Sequence, residues 1–106
     1  MAKVVFLVTR RPDLSREEFR SYWRDVHAPL VAKLPGLRKY AQNLVITDPA
    51  QGEPPMDGVA ELWFDSPDAF QAALAAPEGQ AMLADVPNFL DATLVRAAAV
   101  DEFTIV

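Results

Sequence analysis

Hydrophobic positions divide the chain into segments of two different periods. "KVVFLVT", residues 3–9, is apolar on both alternating sets: Val4, Phe6 and Val8 on one, Val5 and Leu7 on the other. That pattern predicts a strand with both faces buried. "RRPD" marks a turn. From Ser15 the period lengthens. "SREE" has the form of a capping box, with Ser15 accepting from the amide of Glu18 and Glu18 reaching back to Ser15. Phe19, Tyr22, Trp23, Val26 and Leu30 then fall on one stripe at about 100° per residue, the core face of an amphipathic helix. "LPG", residues 34–36, ends it. "LRKYAQNLVI", residues 37–46, predicts a second strand. "TDPAQGEPPMDG" is too long for a tight hairpin. "VAELWFD", residues 59–65, predicts a third strand, with Ala60, Leu62 and Phe64 opposed to Val59 and Trp63. A second helix starts at "SPDAFQAALAA", capped by Ser66 with Pro67 in its first turn. Pro77 restarts the helix at "PEGQAMLADVPNFL". "TLVRAAAVDEFTIV" closes the chain as a long strand, bent near Asp101.

This order reads as one α+β domain over residues 1–106: a ferredoxin-like βαββαβ unit with an antiparallel four-stranded sheet. Both helices then cover one sheet face, and the other is left bare. Strands that are apolar on both sets would expose some hundreds of Å² there, more than a monomer usually tolerates. At ~25 cal/mol per Å² the drive to cover it is large. A second copy is the simplest cover, which predicts a homodimer whose two sheets close into a dimeric α+β barrel.

Composition narrows the partners. The 106 residues are 51% hydrophobic and 24% charged, with no cysteine. Disulfide and thiolate chemistry are excluded, and a reducing compartment fits. The short N-terminal apolar run is not a signal h-region, so a cytoplasmic protein is expected. No stretch approaches the ~20 apolar residues of a membrane span. The net charge of −5 disfavours a nucleic-acid surface. Arg10, Arg11, Arg16, Arg20 and Arg24 form a local exception, read either as a solvated face or as an anion-attracting rim.

"SYWRDVHAPL" holds the single histidine, His27, two residues before Pro29. Pro29 has no amide hydrogen, so the carbonyl of Asp25 loses its helical partner and a short break is expected. His27 projects beside the apolar stripe, between Trp23 and Val31 on one side and Arg20 and Arg24 on the other. It is either a boundary residue capping freed carbonyls or a general acid/base. One histidine and no cysteine leave no metal site at a recognisable spacing. No nucleophile-elbow serine and no Gly-rich phosphate loop occur, so no cofactor is expected. Tyr40 and Gln42 alternate on the second strand opposite Lys39, Ala41 and Asn43. They either belong to a half-exposed strand or face into the barrel and line a mixed pocket, where a phenol can donate to a carbonyl or share a proton with His27. Trp63 reads as core packing or as a stacking surface. Glu61 shares its face and, if buried there, must be neutral or paired.

The block "RRPDLSREEFRSYWRDVHAPLVAKLPGLRKYAQN", with its H–x–P–L and L–P–G–L–x–x–Y elements, resembles the opening of EthD-domain proteins. "DGVAELWFDSPDAF" is similar to that family's third strand and second helix. The resemblance implies a dimeric barrel with a cleft between helix and sheet. It also implies an association with ether, aromatic and xenobiotic degradation, often labelled oxidoreductase-linked. Similar proteins isomerise methyl-substituted muconolactones without a cofactor, using a His and a Tyr; here those roles fall on His27 and Tyr40. The expected function is therefore a cofactor-independent enzyme acting on a small lactone, quinone or aromatic acid. Trp23, Gln42 and Trp63 would contact the substrate, and Arg20 or Arg24 would attract a carboxylate. The rival reading is a non-catalytic protein that binds a hydrophobic metabolite or supports an oxygenase. A third is a cofactor-free or haem-linked oxygenase leaning on Trp63 and Asn43.

Overall fold

A computed structural model describes residues 1–106. Strand β1 (Ala2–Val8) leads through a turn to helix α1 (Arg16–Tyr22). A π-helical turn (Trp23–His27) and helix α2 (Ala28–Ala32) continue it without a gap. Strands β2 (Lys39–Leu44) and β3 (Gly58–Phe64) follow, then helices α3 (Pro67–Ala75) and α4 (Pro77–Asp85), and strand β4 (Arg96–Val100). The sheet order is β2-β3-β1-β4 and every neighbouring pair is antiparallel. This is the ferredoxin-like α+β arrangement.

Local signals set the helix starts. Ser15 accepts from the Glu18 amide at 3.0 Å while Glu18 accepts from the Ser15 amide at 2.9 Å, completing the capping box. Ser66 caps α3 through the Ala69 amide. The second helical stretch ends at Asp85, earlier than expected, because Pro87 cannot continue an α-ladder; a 3-10 turn (Val86–Asn88) takes its place. The last strand is also shorter than expected. A 3-10 turn occupies Ala92–Leu94, and residues 101–106 carry no regular structure and are exposed.

Register decides which residues meet the helices. Val4 pairs with Leu62 and Leu62 with Tyr40, so Val4, Leu62 and Tyr40 share one face, together with Phe6, Val8, Ala60 and Gln42. The core lies between this face and the helices, where fourteen apolar side chains are buried. Phe19 stacks on Trp23 and Phe89 inside it. Gly58 is fixed by this packing: a Cβ there would stand 2.6 Å from the Trp23 indole. Tyr40 and Gln42 therefore point toward the helical layer and not toward the opposite face, where a second sheet would close a barrel.

That opposite face is more polar than the sequence pattern implied. Val5, Leu7, Val59 and Trp63 are half-buried on it. At its centre Lys3 donates to Glu61 at 2.9 Å, and Asn43 donates to the other Glu61 oxygen at 3.0 Å. Glu61 is thus paired, and hydrogen bonds from Lys3 and Asn43 hold its carboxyl below the usual range. Lys39 lies 4.6 Å from the centre of the Trp63 ring.

Candidate active site

The α1–α2 stretch departs from a regular helix at the candidate histidine. The amide of Ala28 donates to the carbonyl of Trp23, five residues back, and the turn widens by one residue. Pro29, which has no N–H to give, sits at the start of α2. The added residue shifts the phase of burial. A regular helix would have kept Val26 in the core, but Val26 is exposed, and the buried series runs Phe19, Trp23, His27, Val31, Leu34. His27 is consequently not a boundary residue. It occupies the middle of the buried stripe, 7% exposed, with its ring 4.7 Å from that of Phe89.

Its partner comes from the other end of the chain. His27 Nδ1 lies 2.8 Å from Oδ2 of Asp85, the last residue of α4, itself 7% exposed. Asp85 Oδ1 accepts from the Tyr22 hydroxyl at 2.6 Å and from Asn88 Nδ2 at 3.0 Å. Burial pushes the Asp85 carboxyl upward, but the donors Tyr22, Asn88 and His27 outweigh it and its pKa lies below the ordinary value. An ionised carboxylate only accepts, so Nδ1 carries the proton and Nε2 is left as the basic nitrogen. Burial also lowers the pKa of His27, against the opposing pull of Asp85, and the ring is neutral at pH 7.

His27 lines a cavity of about 240 Å³ between the helices and the sheet. Thirteen of its fifteen lining residues are hydrophobic. Trp23 and Tyr40 line it too. Burial pushes the Tyr40 phenol up to about 12, so it stays protonated. Gln42 Nε2 donates both to the Tyr40 oxygen at 2.7 Å and to the Trp23 carbonyl at 2.9 Å. With its oxygen already accepting, the phenol is placed as a donor. A cavity of ~150 Å³ can hold benzene, so this one has room for a substituted single ring.

Of the residues singled out in the sequence, His27, Tyr40 and Trp23 meet at this cavity. Gln42 does not line it but holds two residues that do, Tyr40 and Trp23. Arg20 borders a separate groove with Phe19 and Leu44, and Arg24 is exposed on the π-turn. Trp63 and Asn43 stand on the opposite sheet face, because their register sets them beside Lys39 and Val59. No three of the His, Asp and Glu side chains converge to hold a metal ion. Asp85 and Asn88 do not stand out in the sequence, and Tyr22 reads there only as part of the apolar stripe. The one visible trace is spacing: Gly79, Met82, Asp85 and Phe89 fall on one buried stripe, and a carboxylate there demands a partner.

Residues 11–93 match the EthD domain. The chain belongs to the EthD domain family. One relative, the uncharacterized 11.0 kDa protein in the thcB-thcC intergenic region of Rhodococcus erythropolis, is 36% identical over 72 residues, 67% of this chain and 68% of that one. Another, the 4-carboxymethyl-4-methylbutenolide mutase of Pseudomonas reinekei, is 31% identical over 77 residues, 67% of this chain and 71% of the mutase. Among solved structures, an EthD family protein from Bacillus halodurans superposes with a TM-score of 0.81 at 27% identity, over 97% of this chain and 99% of the other. A dimeric ferredoxin-like protein of unknown function from Thermobifida fusca has a TM-score of 0.67 at 20% identity, over 95% and 90% of the two chains. It shares the fold alone. No helix of this EthD chain is long and apolar enough to cross a membrane.

Proposed function

We propose that this EthD protein is a cofactor-independent isomerase that moves a proton on a small ring compound, with His27 as base and Tyr40 as hydrogen-bond donor. The observation that carries the reading is the pairing of a neutral, carboxylate-held imidazole with a protonated phenol in one apolar cavity. Nε2 removes a proton from a carbon next to a carbonyl, and the electron pair passes to the carbonyl oxygen. Tyr40 stabilises that developing oxyanion. The imidazolium, held by Asp85, returns the proton at a different carbon. No electron is gained or lost overall. The relative named as a butenolide mutase supports an isomerase-class reaction on a small lactone ring. The working form is read as a homodimer joined through the Val5, Leu7 and Trp63 sheet face, in keeping with the fold neighbour described as dimeric.

A second reading rests on the lining, which is hydrophobic at all but two residues: the cavity binds a hydrophobic metabolite without converting it. Hydrogen exchange separates the two. Substituted butenolides incubated in D₂O should gain deuterium beside the carbonyl with the wild type. Exchange should fall to background with His27→Ala. Exchange that persists in the variant removes His27 from the mechanism, and saturable binding with no exchange in either protein supports the second reading.

A further inference from the structure

We propose that the cavity accepts an uncharged ring compound and excludes the corresponding carboxylate, so that the substrate class is neutral lactones and related cyclic carbonyl compounds. This deepens the isomerase reading and rests on it. It also separates this chain from its mutase relative, whose name carries a carboxymethyl group.

A carboxylate brought into an apolar cavity must find a cation or hydrogen-bond donors to replace its water. No lysine or arginine is among the residues lining the cavity. Most of the cations are engaged elsewhere. Lys3 pairs with Glu61, Arg10 with Asp57, and Arg16 with Glu53. Arg11 pairs with Asp13 and Arg38 with Asp65. Arg96 folds onto the carbonyls of Thr93 and Val95, and Lys39 lies over Trp63. The remaining three, Arg20, Arg24 and Lys33, are exposed and border none of the cavity.

The charge held against the histidine of the cavity wall has the wrong sign. Asp85 stands directly behind the imidazole, and its three donors keep it ionised while His27 is neutral. The wall that a substrate meets is therefore net negative. A neutral substrate fits that field throughout the reaction. When its proton reaches Nε2, imidazolium and Asp85 neutralise one another and leave a single negative charge, on the oxyanion facing Tyr40. An acid would bring a second anion into the same low-dielectric space.

The test uses a matched pair at pH 7.5, a carboxymethyl-substituted butenolide and its methyl ester, with binding read by calorimetry. The ester should bind at least a hundredfold more tightly than the acid. Leu83 lines the cavity but is 43% exposed, so Leu83→Arg places a solvated cation at the mouth. That substitution should raise the affinity of the acid relative to the ester at least tenfold. An acid that binds wild type within threefold of the ester overturns the charge exclusion and leaves the proton-transfer reading intact. Binding of neither compound overturns both. Ester-selective binding combined with deuterium exchange indifferent to His27→Ala supports the selectivity and overturns the catalytic role.

Discussion

Replacing Asp85 by asparagine removes the charge behind His27 and keeps the shape. Wild-type Asp85 accepts three hydrogen bonds, from Tyr22, His27 and Asn88. Hydrogen bonds to a charged group contribute about 1.5–3 kcal/mol each and neutral ones about 0.5–1.5 kcal/mol. The amide also turns its NH₂ toward a donor on the Tyr22 and Asn88 side, so one bond is lost outright. Tyr22 is half-buried and regains water, which limits that loss. The total is about 2–4 kcal/mol, a large share of the ~5–15 kcal/mol that holds a small domain. The same substitution acts on the histidine in a predictable direction. Burial lowers the His27 pKa and Asp85 raises it, so without the carboxylate burial is unopposed and the pKa falls further. Both groups sit below their ordinary values when folded, so the unfolded chain binds more protons and stability drops on acidification. In the wild type this loss sets in as pH falls below about 6.5 for His27, and again below about 3.8 for Asp85. Asp85→Asn should abolish the lower step and deepen the upper one. His27 is the only histidine, so a single imidazole resonance followed by NMR reports its titration without assignment. Urea midpoints at pH 7.5 and pH 5 report the stability. A His27 that titrates in the variant at the wild-type pH or higher would refute the coupling, and the base assignment with it.

Three further outcomes follow from the same structure. Tyr40→Phe should leave the urea midpoint nearly unchanged and lower the deuterium-exchange rate about 10²-fold or more, because one donor to the oxyanion is lost; wild-type exchange should show no phenolic alkaline limb below about pH 11, since burial pushes Tyr40 up to about 12. Gly58→Ala should cost about 1–3 kcal/mol in denaturant unfolding and disturb the cavity, because the new Cβ meets the Trp23 indole at 2.6 Å; a neutral result would mean that the indole moves freely. Leu7→Glu, on the half-buried outer sheet face, should shift the mass in light scattering from twice 11.7 kDa toward 11.7 kDa. A wild type that is already 11.7 kDa would remove the dimer.

The fold was readable because its signals are local. The Ser15–Glu18 box, the Ser66–Pro67 cap and the β-branched run in β1 each act over a few residues, and each produced its element. Errors arose where one residue changes a phase or where distant segments meet. The π-turn adds a single residue, and that is enough to exchange Val26 for His27 in the core. Strand parity can be counted in the sequence, but which set faces the helices depends on pairing partners; Tyr40 was grouped correctly with Gln42 and assigned to the wrong side. Asp85 lies 58 residues from His27 and belongs to no motif with it. Its position on an apolar stripe was the only warning.

The proposed proton chemistry depends on the π-turn. A regular helix through Trp23–His27 would bury Val26 and leave the imidazole at the rim, solvated and without Asp85. The widened turn puts His27 under Phe89 and against Asp85, and the Trp23 carbonyl that closes it also accepts from Gln42. Gln42 in turn holds the Tyr40 oxygen. A single amide therefore links the backbone irregularity that positions His27 to the Tyr40 phenol. The two groups of the proposed mechanism, thirteen residues apart in sequence, share one strut. If Gln42→Leu lowered exchange no further when combined with Tyr40→Phe, the strut would act through Tyr40 alone; a fully additive loss would show that it acts independently of Tyr40, through the turn.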